Sequence, residues 1–261
     1  MSVLVPMQQQ EGTELYQRAG GSAIANRVYH CLRRVGGRAM TVPSPLVMEV
    51  PGACAGWVRV KGCRNGPSPE ALVQELEQAA AEAVTRNGTP WAEDRRAVVR
   101  NLLRHGNYRP TGRAKPASEY LLRVAAEGQV PRINVLADLN NLVSLRTLLP
   151  ISIVDLDRAR EDMFRVRHGR PGERYVFNPS GQVLDLEDLI LVATWGEDHA
   201  IATPVKDSQA TKTDAGTSRA LAVIYGPGDL EAEVRDATRM LAAGIACHGG
   251  GAVTWGVARG P

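Results

Sequence analysis

The order in which two hydrophobic periodicities appear along the chain constrains its fold more than any other feature. Apolar residues recur at helical spacing through SPEALVQELEQAAAEAVTRN (68–87), where Leu72, Leu76, Ala79 and Ala83 form one stripe. Ser68 is the expected cap of that helix, with Pro69 in its first turn. A second helix over about 91–105 carries Val98, Val99, Leu102 and Leu103. SEYLLRVAAEG (118–128) and VPRINVLADLNNLVSLRTLLP (130–150) read as a third and fourth, stopped by Gly128 and Pro150.

From residue 151 the pattern changes to short apolar runs of strand type. These are ISIVD (151–155), MFRVRHG (163–169), RYVFN (174–178), QVLDL (182–186), LILVATW (189–195), AIATP (200–204) and TSRALAVIYGP (217–227). Turn pieces such as PGE and NPSG part them. A helix over 229–246, capped by Asp229, and a strand over 251–258 close the chain. Two alternating runs near the start, LVMEV (46–50) and GWVRVKG (56–62), predict a strand pair. A block of helices, a block of strands and a final helix–strand unit predict an α+β fold. The expected organisation is one mixed β-sheet domain with packed helices over residues 41–261.

Residues 1–40 read differently. SAIANRVYHCLRRV fits a short basic amphipathic helix, and an Arg-rich, acid-poor start also fits a targeting segment, a poorly ordered extension, or a chain whose compact part begins at Met40. The start lacks the basic and apolar regions of a secretory signal, and no run of about 18 apolar residues occurs, so the expected setting is the cytoplasm with reduced thiols. Cys31, Cys54, Cys63 and Cys247 are widely spaced with no CxxC, so neither a zinc site nor any other metal or cofactor is expected. Cys247 beside His248 is a weak nucleophile–base signal, because adjacent residues rarely face each other correctly.

The formal net charge of +3 hides an uneven distribution. Residues 104–132 carry six basic side chains against Glu119 and Glu127, whereas residues 133–261 carry 13 basic and 17 acidic. Within the basic stretch, NYRPTGRAKPASEYLLR (107–123) places Arg109, Arg113 and Lys115 on a Pro/Gly-shaped loop before a helix. Such a loop suits an anion or an RNA backbone, with Tyr108 and Tyr120 as stacking surfaces; a solvated loop is the plainer alternative. On the fourth helix Asn134, Asp138 and Asn141 fall on one face, where they either serve a site or brace neighbouring loops. Between two strands, Lys206, Asp207, Ser208, Thr211, Lys212, Thr213 and Asp214 are dense enough for a pocket floor, in which Lys206 and Asp207 could position a water or stabilise an oxyanion. No GxSxG, HExxH or Walker loop is present.

YRPTGRAKPASEYLLR, VPRINVLADLNNLVSLRTLLPISIVDLD, GERYVFNPSGQVLDLEDLILVA and PVKDSQATKTDAGTSRALAVIY, in this order, resemble the editing domain of the phenylalanyl-tRNA synthetase beta subunit, the B-three/B-four module, and more closely its free-standing relatives. The resemblance covers about residues 45–258. It implies a mixed α/β domain that hydrolyses a mismatched aminoacyl ester on tRNA, supplying discrimination that a synthetase pocket lacks. The family's histidine falls at Ser152, its tyrosine-reading glutamate at Val223, and its glycine pair near Asp207 and Ser208. These departures remove the tyrosine-specific pocket, so tyrosine is not the expected cargo.

The implied roles are catalytic for Lys206, Asp207 and Ser208, and substrate-binding for Asn134, Asp138, Ser152, Thr211, Lys212 and Val223. Arg109, Arg113 and Lys115 would hold tRNA. The expected function is trans-editing, that is, deacylation of mischarged tRNA without a synthetase active site. Its expected partners are a charged tRNA acceptor end and an aminoacyl-tRNA synthetase, with neither membrane nor DNA. Two alternatives are a non-catalytic module that binds tRNA or a synthetase, and a former editing pocket that now holds a small amino-acid-like ligand.

Overall fold

A computed structural model describes residues 43–261, so the readings of residues 1–40 and of Cys31 lie outside the described residues. The first described elements are β1 (Leu46–Met48) and β2 (Ala53–Lys61). Helices α1 (Glu70–Arg86), α2 (Pro90–Leu103), α3 (Ala117–Ala126) and α4 (Val135–Thr147) follow. The strand block then runs β3 (Ile151–Asp155), a single turn α5 (Leu156–Ala159), β4 (Phe164–His168), β5 (Arg174–Val176), β6 (Val183–Asp185), β7 (Ile190–Thr194), β8 (Ala200–Ala202) and β9 (Arg219–Pro227). Helix α6 (Glu231–Gly244) and β10 (Ala252–Arg259) end the chain. The fold is α+β, as the order of periodicities predicts.

The strands form two four-stranded sheets and one hairpin. One sheet has the order β10-β2-β9-β3, the other β1-β4-β7-β8, and β5 pairs only with β6. Alternation along the first sheet sorts its side chains into two cores. Val58, Val60, Ala222, Ile224, Ile151 and Ile153 meet Leu76, Leu121, Leu139 and Leu241 of the helices. Ala55, Trp57, Leu221, Val223, Tyr225 and Val154 face the second sheet, where Phe164, Val166 and Val192 lie. The molecule is therefore three layers deep: helices, sheet, sheet. Gly56 allows α6 to lie close on the first sheet, since a Cβ there would come within 1.8 Å of Thr238 Oγ1.

Four expectations need correction. The two first strands do not pair with each other: β1 runs parallel to β4, whereas β2 lies between β10 and β9. The short link between them, with Gly52 at φ 67°, carries the chain from one sheet to the other instead of closing a hairpin. Ser68 does not cap α1; Pro69 holds that position and Ser68 donates to Asp138 Oδ2 at 2.6 Å. Asp229 sits in a tight turn before α6, whose cap is Leu230. Among the cysteines, Cys54 and Cys63 are buried free thiols, but Cys247 is disulfide-bonded, which also removes it as a nucleophile for His248. No helix among the described residues is long and apolar enough to cross a membrane.

Candidate functional site

The loop that follows β8 holds residues 203–213 against the free edge of β3, and its own short polar side chains fix its path. Thr203 Oγ1 accepts the Lys206 N–H at 3.0 Å and donates to the Lys206 carbonyl at 2.8 Å. The Ser208 N–H donates to the Ile201 carbonyl at 3.0 Å, and its hydroxyl accepts from Ala210 N at 3.3 Å, capping the turn Gln209–Thr211. Thr211 Oγ1 donates to the same Ile201 carbonyl at 3.1 Å. Ser208 and Thr211, expected in catalysis and substrate binding, are buried braces of the loop.

This bracing sets Asp207 beside the edge of β3. The Ile153 N–H, which faces away from β9, donates to Asp207 Oδ2 at 3.3 Å, and Thr203 N–H donates to Oδ1 at 3.4 Å. Ser152 also lies within hydrogen-bonding reach of the carboxylate. Its hydroxyl accepts from Tyr225 at 3.0 Å and lies 3.0 Å from the Thr203 carbonyl. Ser152 faces the second sheet in register with Val223, so both line the same side. Desolvation outweighs these long hydrogen bonds and the field of Lys212, and it pushes the Asp207 carboxyl from 3.8 up to about 6. Burial, with Asp207 as the next contributor, raises the Tyr225 and Tyr175 hydroxyls well above the ordinary tyrosine value.

The β5–β6 hairpin closes over this loop. Tyr175 donates to the Lys206 carbonyl at 2.5 Å, and Lys212 Nζ donates to the Phe177 carbonyl at 2.6 Å. Lys206 Nζ stands 3.9 Å from the Phe177 ring centroid. From the other direction, the Ala117 N–H donates to the Pro204 carbonyl at 2.9 Å. That bond brings the turn Gly112–Ala114, and with it Arg113, to the same rim. The basic loop is anchored at its root, where His105 stacks on His168 at 3.6 Å and Asn107 N–H donates to Asp188 at 2.6 Å.

The two loops singled out in the sequence therefore meet, with Lys206, Asp207, Lys212 and Arg113 as their shared group. Lys115 is exposed on the same basic loop, whereas Arg109 turns back onto the Gly106 and Tyr108 carbonyls at 2.8 and 2.9 Å. Tyr108 is partly buried and donates to the Ala114 carbonyl at 2.6 Å, so it shapes the loop and is no stacking surface. Tyr120 stays 60% exposed, with Arg123 at 5.0 Å over its ring. Asn134 and Asp138 belong elsewhere. Asn134 caps α4 by accepting from Ala137 N at 2.9 Å, and Asp138 accepts from Ser68 and from Ile133 N. Both sit at the start of a helix packed on the opposite face of the first sheet from Ser152.

Sequence reasoning missed Tyr175, Phe177, Thr203 and Tyr225. Alternation along β9 offered one signal, because it places Tyr225 on the face of Val223; nothing in the spacing pointed from the hairpin to Lys206. Among the described residues, no cluster of three or more metal-ligating side chains occurs.

The B3/4 domain family model matches residues 111–237, a span that contains the turn of Arg113, the loop of Asp207 and the strands beneath both. The chain thus carries a B3/4 domain, the domain type of the phenylalanyl-tRNA synthetase beta subunit. No curated protein matches the chain.

Proposed function

We propose that this B3/4 domain is a trans-editing hydrolase that deacylates mischarged aminoacyl-tRNA. The observation that supports the reading best is the Asp207 carboxyl, pushed up to about 6 beneath a rim of Lys206, Lys212 and Arg113. A carboxylate near the working pH is suited to general-base catalysis. Ionised Asp207 accepts a proton from a water as that water's oxygen bonds to the ester carbonyl carbon. Collapse of the tetrahedral adduct breaks the ester C–O bond, and the departing ribose oxygen takes the proton back. An aminoacyl ester is already activated, so positioning one water beside it supplies much of the remaining requirement. The cationic rim holds the polyanionic acceptor end. Ser152 and Tyr225 keep the carboxylate in place from below.

The test is a deacylation screen over tRNAs charged with different amino acids, with the wild-type chain and Asp207→Asn compared. At least one mischarged species should be hydrolysed by the wild type, and Asp207→Asn should lower that rate by about a hundredfold or more. Tight tRNA binding with no hydrolysis of any member would instead favour a non-catalytic module.

A further inference from the structure

Three cations far apart in sequence converge at the mouth of this site. Lys206 Nζ lies 3.9 Å from the Phe177 ring centroid and Lys212 Nζ 2.6 Å from the Phe177 carbonyl oxygen, so one hairpin residue positions both ammoniums. The backbone bond from Ala117 to Pro204 brings Arg113 to the same rim. Desolvation, together with the fields of Arg113 and Lys212, holds the Lys206 ammonium below its ordinary value. Among the described residues none of the three forms an ion pair with a carboxylate. Three positive charges beside the single Asp207 carboxyl oppose one another and lower their energy when an anion arrives between them. Phe177 and Tyr175 lie against the two lysines on the side of the hairpin.

Resting on the editing reading, we propose that Lys206, Lys212 and Arg113 form one site for the phosphodiester that joins the last two nucleotides of the tRNA acceptor end. A phosphodiester is the anion whose distance from the reacting ester is set by covalent structure: one ribose separates them. Held by the three cations, it leaves the ribose and its ester over the Asp207 carboxylate. Lys206 is then a positioning residue, and its role in catalysis is to place the ester.

The experiment uses the full chain and needs no esterified substrate. Binding of cytidylyl-adenosine, adenosine and inorganic phosphate is compared by calorimetry for the wild type, Lys206→Met and Lys212→Met, each checked for folding by circular dichroism. Cytidylyl-adenosine should bind the wild type about tenfold or more tightly than adenosine does, as charge-assisted phosphate contacts allow. Each Lys→Met change should erase most of that gain. For whole tRNA, each lysine removed should flatten the slope of log affinity against log salt by about 0.7. Equal binding of the dinucleotide and adenosine, a gain that survives both lysine changes, or inorganic phosphate binding as tightly as the dinucleotide would each overturn the assignment. Because hydrolysis is not read, failure here is distinct from failure of the editing reading, which the Asp207→Asn deacylation rate decides.

Discussion

At the scale of single residues, Asp207 carries a cost that its hydrogen bonds do not repay. Its carboxyl ordinarily titrates at 3.8 and in the fold at about 6, because desolvation disfavours the charged form. A raised carboxyl stabilises the fold fully at pH below the unfolded value, and that contribution is lost as pH rises through about 6. At neutral pH the ionised group therefore destabilises the chain, by at most about 3 kcal/mol for a shift of this size. Asp207→Asn should be more stable than the wild type at neutral pH by up to that amount, and should show no gain below about pH 4. Urea denaturation at the two pH values checks the sign. Greater stability together with lost hydrolysis is the pattern of a residue kept for function. Ser208 and Thr211 contrast with it: their oxygens are used on Ala210 N and the Ile201 carbonyl.

At the scale of elements, α4 separates a structural from a functional reading of polar residues. Its first turn holds Asn134 and Asp138, which the resemblance implied as substrate-binding. In the fold Asn134 accepts from Ala137 N, and Asp138 ties the helix to Ser68. Asn134→Ala should therefore cost about 1 kcal/mol of stability, the usual loss of a helix cap, and leave deacylation unchanged. Thermal unfolding and a deacylation rate on the same preparation measure both. The helices and strands themselves were legible because their periods are clean: the stripe of Leu72, Leu76, Ala79 and Ala83 is buried on α1 as expected. Partner choice among strands was not legible. LVMEV and GWVRVKG alternate alike, and only the burial of β1 against Phe164 and Val166 shows that it belongs to the other sheet. The β5–β6 hairpin was read as two strands, but its use as a cover depends on Tyr175 reaching the Lys206 carbonyl, a contact that no local pattern encodes.

At the scale of the whole molecule, the three layers account for the position of the site. Strand β3 is an edge of the first sheet and β8 an edge of the second, so the loop leaving β8 runs along the outer edge of β3, where the Ile153 N–H donates to Asp207 and Val154 bridges to Lys212. The near-neutral total of +3 likewise conceals a local excess, since Arg113 arrives from the basic stretch and joins Lys206 and Lys212 of the acidic half. That meeting was legible only as two separate charged loops; sequence spacing carries no information about the bond from Ala117 to Pro204 that joins them. The central claim, that Asp207 is the base of a hydrolytic B3/4 domain, is tested most directly by the pH dependence of single-turnover deacylation on a mischarged tRNA that the wild type accepts. After subtraction of spontaneous hydrolysis, the rate should rise tenfold per pH unit below about 6, where Asp207 ionises, and level off above it. A rate independent of pH from about 4.5 to about 7.5, or an unchanged profile in Asp207→Asn, would contradict it.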